Sequence, residues 1–546
     1  DMLRRASEYE TEGVGTRVQL KYQWNGATNA VYFNVLSGEL DPGPNLHSEY
    51  LRSGTRINAA RLSLLCQPFA VGTAETLENY INDPSFEIAG SAFADWTKGD
   101  GTGTTVRSTA RSKYGTASAR TTRSAGIADN ELTQRLTTAF TVDDVISASV
   151  WVYAEAFTAD MVARMRLLFY NSAGSFLGSS SVQDQTATTT AFVQLKIAGY
   201  TMTGTAGTGT VAINIQLVGG TGTGTVFWDG LGLWKAATVP VAWSSGRSVS
   251  NHFDDNGQTH INYLDIYDTP GDVLAPMSLK RKMISPLSSP PEHVWLGVMQ
   301  ANRATSTGIW LEGESFTAQG WTASADTARS NGSIGESSAT TATGTAATPT
   351  VSDIAIVNPP SGLFRVLASV RAMTSTMALA FGYRYGQGFT MTPTASADYQ
   401  YLPATAIYTL LDLGAAVIPP AITPVGGTIG TFNLRLTYWK SGASGTTAQL
   451  RCDYVHLLAV GQGGGHSKQT QVGTLLADSR TSISAFWILS TSNTVVQFPD
   501  QQGIAPSIHP KGSRYYFQYT QTGSVTIDST AHVTVTYVPR FLHVNT

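Results

Sequence analysis

Apolar and polar positions alternate along most of this chain with the period of two that belongs to extended strands. "RVQLKYQW" (17–24), "AVYFNVLSGEL" (30–40), "VISASVWVYAEAF" (145–157), "TVAINIQLV" (210–218), "FRVLASVRA" (364–372), "FNLRLTYWK" (432–440) and "HVTVTYVPRFL" (532–542) all show it. Successive side chains of a strand point to opposite faces, so each run can bury one face and leave the other to water. β-branched and aromatic residues fill the runs; Gly, Thr, Ser and Asn fill the breaks between them. The helical period is nearly missing. It suggests a helix at 1–10, "DMLRRASEYE", and a weaker one near 74–80, while the neighbours of "MVARMRLLFY" (161–170) make that run a strand. The fold class that follows is all-β, as several β-sandwich or jelly-roll domains.

A chain of 546 residues is too long for one core, and roughly three or four domains are expected. Breaks in the pattern divide it into a β-rich segment at 1–75, a long β-unit at 76–237, a pair of segments at 238–304 and 466–546, and a second long β-unit at 305–465 lying between them. The Gly run "GQGGG" at 461–465 reads as a flexible connection. The long units look like a diverged repeat. The first opens with Glu87 and Trp96 and closes on "VFWDGLGLWK" (226–235) with Asp229; the second opens with Glu312 and Trp321 and closes on "LRCDYVHLLAV" (450–460) with Asp453. "TGTAGTGT" (203–210) and "GGTGTGT" (219–225) sit between strands and read as hairpin connections, Gly supplying the positive-φ positions.

Charged residues make up 13% of the chain, hydrophobic ones 42%, and the net charge is −3. That is a globular composition, and the balance favours neither nucleic acid nor an anionic membrane. Two cysteines, Cys66 and Cys452, fall in different units and read as separate buried thiols. No apolar run has the length of a membrane span, and no signal-peptide pattern follows Asp1, so the start reads as processed, trimmed or incompletely represented.

The order "NDPSFE" (82–87), Trp96, "KYGTASAR" (113–120), "VISASVWVYAEAF" and "VFWDGLGLWK" resembles the jelly-roll carbohydrate-binding modules that accompany xylanases and cellulases. The second unit follows the same scheme more loosely. The remaining segments, among them "NYLDIYDTPGDVLAPMSLK" (262–280), "RTSISAFWIL" (480–489) and the chain's end, are similar to tail proteins of long-tailed bacteriophages, of the distal-tail or tail-tip type. That resemblance implies a virion protein that forms a hexamer or trimer with other tail proteins. Segments 238–304 and 466–546 would then be halves of one sandwich, with jelly rolls projecting toward host-cell glycans.

In a jelly roll the first and last strands can lie side by side, which would bring Glu87 to Asp229 and Glu312 to Asp453. Paired carboxylates with backbone carbonyls suit Ca²⁺, and the resembling modules often hold a structural calcium there. Two readings stay open: a calcium, or carboxylates that accept backbone N–H bonds. The function requires no cofactor. For stacking on sugar rings, Trp151 and Tyr153, on one face of their strand, and Trp96 are the candidates, though a Trp in a sandwich strand is more often core, and that reading applies alike to Trp96, Trp151, Trp228, Trp234 and Trp321.

No nucleophile elbow, phosphate loop or His-Glu-x-x-His is present. The densest polar stretch, "NHFDDNGQTHINYLD" (251–265), carries His252, Asp254, Asp255 and His260, but its Asp-Asn-Gly core reads as a hairpin turn between two strands. The reading is therefore a non-enzymatic, structural and adhesive protein. A secreted polysaccharide-binding or glycoside-hydrolase accessory protein, and a capsid decoration or fibre protein, are the alternatives.

Overall fold

In a computed structural model of the chain, most of residues 70–245, 310–418 and 432–460 are described, together with paired strands elsewhere. Residues 1–18, 23–30, 42–60, 67–69, 88–92, 100–102, 125–128, 203–208, 246–251, 254–258, 284–292, 301–309, 357–361, 419–431, 461–464, 468–487, 490–494, 499–506, 526–530 and 542–546, with shorter gaps, lie outside the description.

The described chain is built of antiparallel sheets, with short 3₁₀ turns at Gly313–Gln319 and Ser396–Asp398. In the first module one sheet runs Val193–Thr201, Val145–Glu155, Gly224–Trp234, Ser118–Arg123, Thr104–Ser108. The other runs Phe176–Ser179, Val162–Asn171, Gly209–Val218, Asn130–Phe140, Thr97–Lys98, with Gln183–Gln185 also on Val162–Asn171. Val150, Val152, Trp228 and Leu231 from the first meet Met165, Leu167, Ile213 and Ile215 from the second in one core. These are the alternate residues that the period of two points inward.

The second module repeats this order. Thr409–Ile418, Gly362–Met373, Gln449–Ala459, Ser333–Glu336 and Thr322–Ala325 form one sheet; Thr350–Ile356, Phe432–Lys440, Met377–Tyr385 and Phe389–Met391 form the other. Phe364, Val366, Leu379, Leu434, Leu436 and Leu457 are among its core.

A third core joins strands far apart in sequence. Thr259–Tyr267 and His293–Gln300 flank Gly512–Gln521 in one sheet; Ala275–Met283 and Ala531–Tyr537 pair in another, with Glu75–Leu77 at its edge. Leu264, Ile266, Leu279, Leu296, Tyr515 and Val535 are buried between them. Ala70–Val71 pairs with Arg540–Phe541, so residues near both ends of the described chain share a sheet. Both modules leave and return to this central sandwich.

Several local expectations change. Residues 75–77 form an edge strand instead of a helix, because Leu77 is buried against the sandwich and pairs with Val535. The helix expected at 1–10 lies outside the described residues. The two Gly/Thr runs do not close hairpins: each joins strands of opposite sheets, Val193–Thr201 to Gly209–Val218 and Gly209–Val218 to Gly224–Trp234. Alternation reports that a strand is half buried and does not report which strand lies beside it. His252–Phe253 does pair with Thr259–Tyr267 across the Asp-Asn-Gly turn, whose residues 254–258 are outside the description. Of the Gly run at 461–465, Gly465 opens a strand on His293–Gln300, and the rest is outside the description.

Candidate functional site

The turn "NDPSFE" is irregular backbone and not a strand. Asp83 and Phe86 have φ of 43° and 57°, and the Asp83 carboxylate accepts the Glu87 N–H. This side-chain turn directs Phe86 into the core, where its ring lies 5.3 Å from Trp96. The segment still lies along the closing strand Gly224–Trp234: Leu231 donates to the Pro84 carbonyl and Tyr80 to the Leu233 carbonyl. Glu87 thereby emerges beside Asp229.

Both carboxylates grip one loop, residues 109–117. Asp229, fully buried, accepts N–H bonds from Lys113 (2.5 Å), Tyr114 (2.9 Å) and Gly230 (2.6 Å). Glu87 accepts the N–H groups of Thr116 and Ala117 and the Thr116 hydroxyl. Gly115 has φ +64°, and a Cβ there would lie 2.3 Å from a Glu87 oxygen, so only glycine fits. Burial pushes the Asp229 carboxyl well above its ordinary range; the amide bonds pull it down and the Glu87 charge pushes it up. Burial also raises Glu87, against the same kind of amide bonds.

A calcium needs six to eight oxygens, whereas here amide hydrogens point at both carboxylates. Among the described residues no group of three or more Asp, Glu, His or Cys is set to hold a metal. The arrangement fits the second of the two readings, carboxylates held by backbone donors.

The other side of the loop meets the central sandwich. The Tyr114 ring stacks on Trp243 at 4.5 Å and on Tyr267 at 5.0 Å, and its hydroxyl donates to Asp268 at 2.6 Å. Burial and the Asp268 charge hold the Tyr114 hydroxyl far above the ordinary phenol range.

In the second module the opening and closing strands do pair, with Glu312 opposite Tyr454. Asp453 is buried and accepts the Ser369 hydroxyl at 3.4 Å. Burial, with the charges of Asp453, Glu312 and Glu314, pushes the buried Cys452 thiol well up. Cys66 lies on Arg61–Cys66 in another sheet.

Of the aromatic candidates, Trp96 is core, covered by Phe86, and its ring is not available to a ligand. Trp151 lies edge-on to Tyr114 with the Lys113 ammonium over it at 4.2 Å. Tyr153 shares that face, but the Arg111 guanidinium lies over its ring at 4.1 Å. Trp228, Trp234 and Trp321 are buried.

The outer side of the first module's other sheet carries a polar network, of which Asn214 and Gln216 are buried. Register sets its side chains in rows. Asp184, Arg164, Gln216 and Glu131 form one row; Arg166, Asn214 and Thr133 the next; Leu168, Ala212 and Arg135 the third; Phe176, Tyr170 and Thr210 the fourth. Arg164 is closed by Asp184 at 2.8 and 2.9 Å. Asn214 accepts from Arg166 Nε and donates to Glu131 and Thr133, and Gln216 donates to Glu131. Phe176 is 59% exposed at the end of the rows. The signal in the sequence was the amide and guanidinium residues at alternate positions of "VARMRLLFY" and "TVAINIQLV".

No family model matches the chain, and no curated protein matches it. Among solved structures it is similar to a family 61 carbohydrate-binding module in complex with β-1,4-galactotriose (16% identity, 29% of this chain and 99% of that one, TM-score 0.23). It is also similar to the tandem family 22 modules of Paenibacillus barcinonensis Xyn10C (13% identity, 71% of this chain and 98% of that one, TM-score 0.23). A third is the enzymatically active domain of bacteriophage CBA120 tailspike protein 4 (12% identity, 28% of this chain and 21% of that one, TM-score 0.24). Likenesses of this size say nothing about what this chain binds.

Proposed function

We propose that this chain is a non-catalytic structural protein that binds glycans through the outer face of its first module. The observation that carries the reading is the hydrogen-bonded network Arg166–Asn214–Glu131–Gln216, in which the buried Asn214 and Gln216 hold the charged groups in place, with the exposed Phe176 ring beside it. Sugar hydroxyls are donors and acceptors at once. They are met well by planar amide, carboxylate and guanidinium groups already fixed by one another, since little freedom is lost on binding. An exposed aromatic ring adds a surface for the apolar face of a pyranose.

The setting of this role is the tail of a long-tailed phage. Its support is the resemblance of the outer segments, and an architecture in which strands from distant parts of the chain form one sandwich that carries two modules. Assembly with copies of itself and other tail proteins belongs to this proposal. Glycan-array binding by the full chain tests the first part: wild type is expected to bind, and F176A, at a 59% exposed position, to weaken binding at an unchanged melting temperature. Silence of the wild-type chain across the array overturns it. Electron micrographs of the native assembly test the second; threefold or sixfold rings support a tail tip, and sugar-dependent monomers support a secreted polysaccharide-binding protein instead.

A further inference from the structure

We infer that the glycan taken by this face is anionic, a saccharide chain bearing carboxylate or phosphate, and that Arg135 and Arg166 receive its charge. This rests on the glycan-binding reading above and adds the class of ligand. The motive is a difference among the arginines. In Arg164, Arg365, Arg435 and Arg514 the guanidinium is closed by a forked pair of bonds to one aspartate: Asp184, Asp412, Asp353 and Asp265 respectively. Arg135 and Arg166 are held differently. Each is fixed through Nε alone by a neutral group, Arg135 by the Thr210 hydroxyl at 2.9 Å and Arg166 by the Asn214 carbonyl at 3.0 Å. Among the described residues neither makes an ion pair with a carboxylate.

These two side chains are also kept in place. The Arg135 guanidinium lies over the Tyr170 ring at 4.3 Å, and at Gly174 a Cβ would come within 3.3 Å of it. Asn214, which holds Arg166, is itself fixed by Glu131 and Thr133. Arg135 and Arg166 occupy adjacent rows on either side of Gly209–Val218, facing Ala212 and Asn214. Two anchored guanidinium groups without an acidic partner, flanking a small residue, form a receptor for a planar or tetrahedral oxyanion. A neutral glycan would leave both charges to water.

The test is calorimetric titration of the full chain with four probes: oligogalacturonate, the neutral galacto-oligosaccharide of equal length, phosphomannan and neutral mannan. The expected result is binding of oligogalacturonate or phosphomannan at least about tenfold tighter than of its neutral partner, weakening as salt rises. Whichever of the two is preferred identifies carboxylate or phosphate as the group. R135Q, at an exposed position, is expected to lose about tenfold on the charged probe and clearly less on the neutral one at an unchanged melting temperature, and R135K to restore part of the charged-probe affinity. Equal affinity for charged and neutral probes, or a charged-probe affinity that R135Q leaves unchanged, overturns the inference while glycan binding stands. Binding of neither kind removes the glycan reading itself.

Discussion

The two modules lay their strands in the same order and use the same outer face in opposite ways. In the first, Asn214, Gln216 and Glu131 satisfy one another and leave Arg135 and Arg166 without an acid. In the second, Arg435 in the matching central strand is closed by Asp353 at 2.7 and 2.8 Å and also donates to Thr392. Ala378 and Ala380 are covered by Tyr399 and Ala346, with Trp439 packed against them, a small second core where the first module has polar rows. The carboxylate loops differ as well. The first module's loop reaches across to Trp243 and Tyr267, whereas in the second module Arg329 lies over Tyr408 of the same module. Inward positions define the sandwich and are alike; outward positions carry no such duty and have diverged.

The largest expected break of this comparison is D229A. It strands the buried N–H groups of Lys113, Tyr114 and Gly230, at a cost of about 3 kcal/mol or more. D453A is the matching change in the second module, and equal losses in denaturant titration would show that the two buried carboxylates contribute alike. Next is Y114A, which removes a ring stacked between Trp243 and Tyr267 and should cost about 2–3 kcal/mol. Its mark should be faster proteolysis in the connection 235–242, with no such change for Y408A. Smaller is R435A, expected to destabilise the second module by about 1–2 kcal/mol without altering glycan binding, whereas F176A alters binding without altering stability.

The pH profile is the finer test. Asp229 and Glu87 both titrate above their ordinary ranges, so the folded chain holds more protons than the unfolded one between those ranges and the raised values. Stability must then fall as pH rises through that window, and E87Q should flatten the slope. The smallest expected effect is that of a chelator. With amide hydrogens facing both carboxylates, EGTA should leave the melting temperature unchanged, and a drop would mean that the loop turns its carbonyls inward around a cation.

The strands were legible because the period of two is a local property. "MVARMRLLFY" and the two closing runs could be recognised without their partners. The approach of Glu87 to Asp229 was legible in outline through the jelly-roll scheme, but the loop between them was not, because the groups that hold it are backbone amides, which every residue has. The polar network on the other sheet was hidden for another reason. Trp96, Trp151 and Tyr153 are the conspicuous residues, yet Phe86, Lys113 and Arg111 cover them.

What the amino-acid order determined by itself was the all-β class, the inward residue of each strand and the echo between the modules, since burial of alternate apolar side chains needs only a second layer and not a particular one. Tertiary structure alone decided which strands lie side by side, that the Gly/Thr runs cross between sheets, that Leu77 joins Val535 across most of the chain, and which arginines meet an aspartate. Those outcomes depend on register and on pairs distant in sequence, and a period of two is the same for every partner a strand could choose.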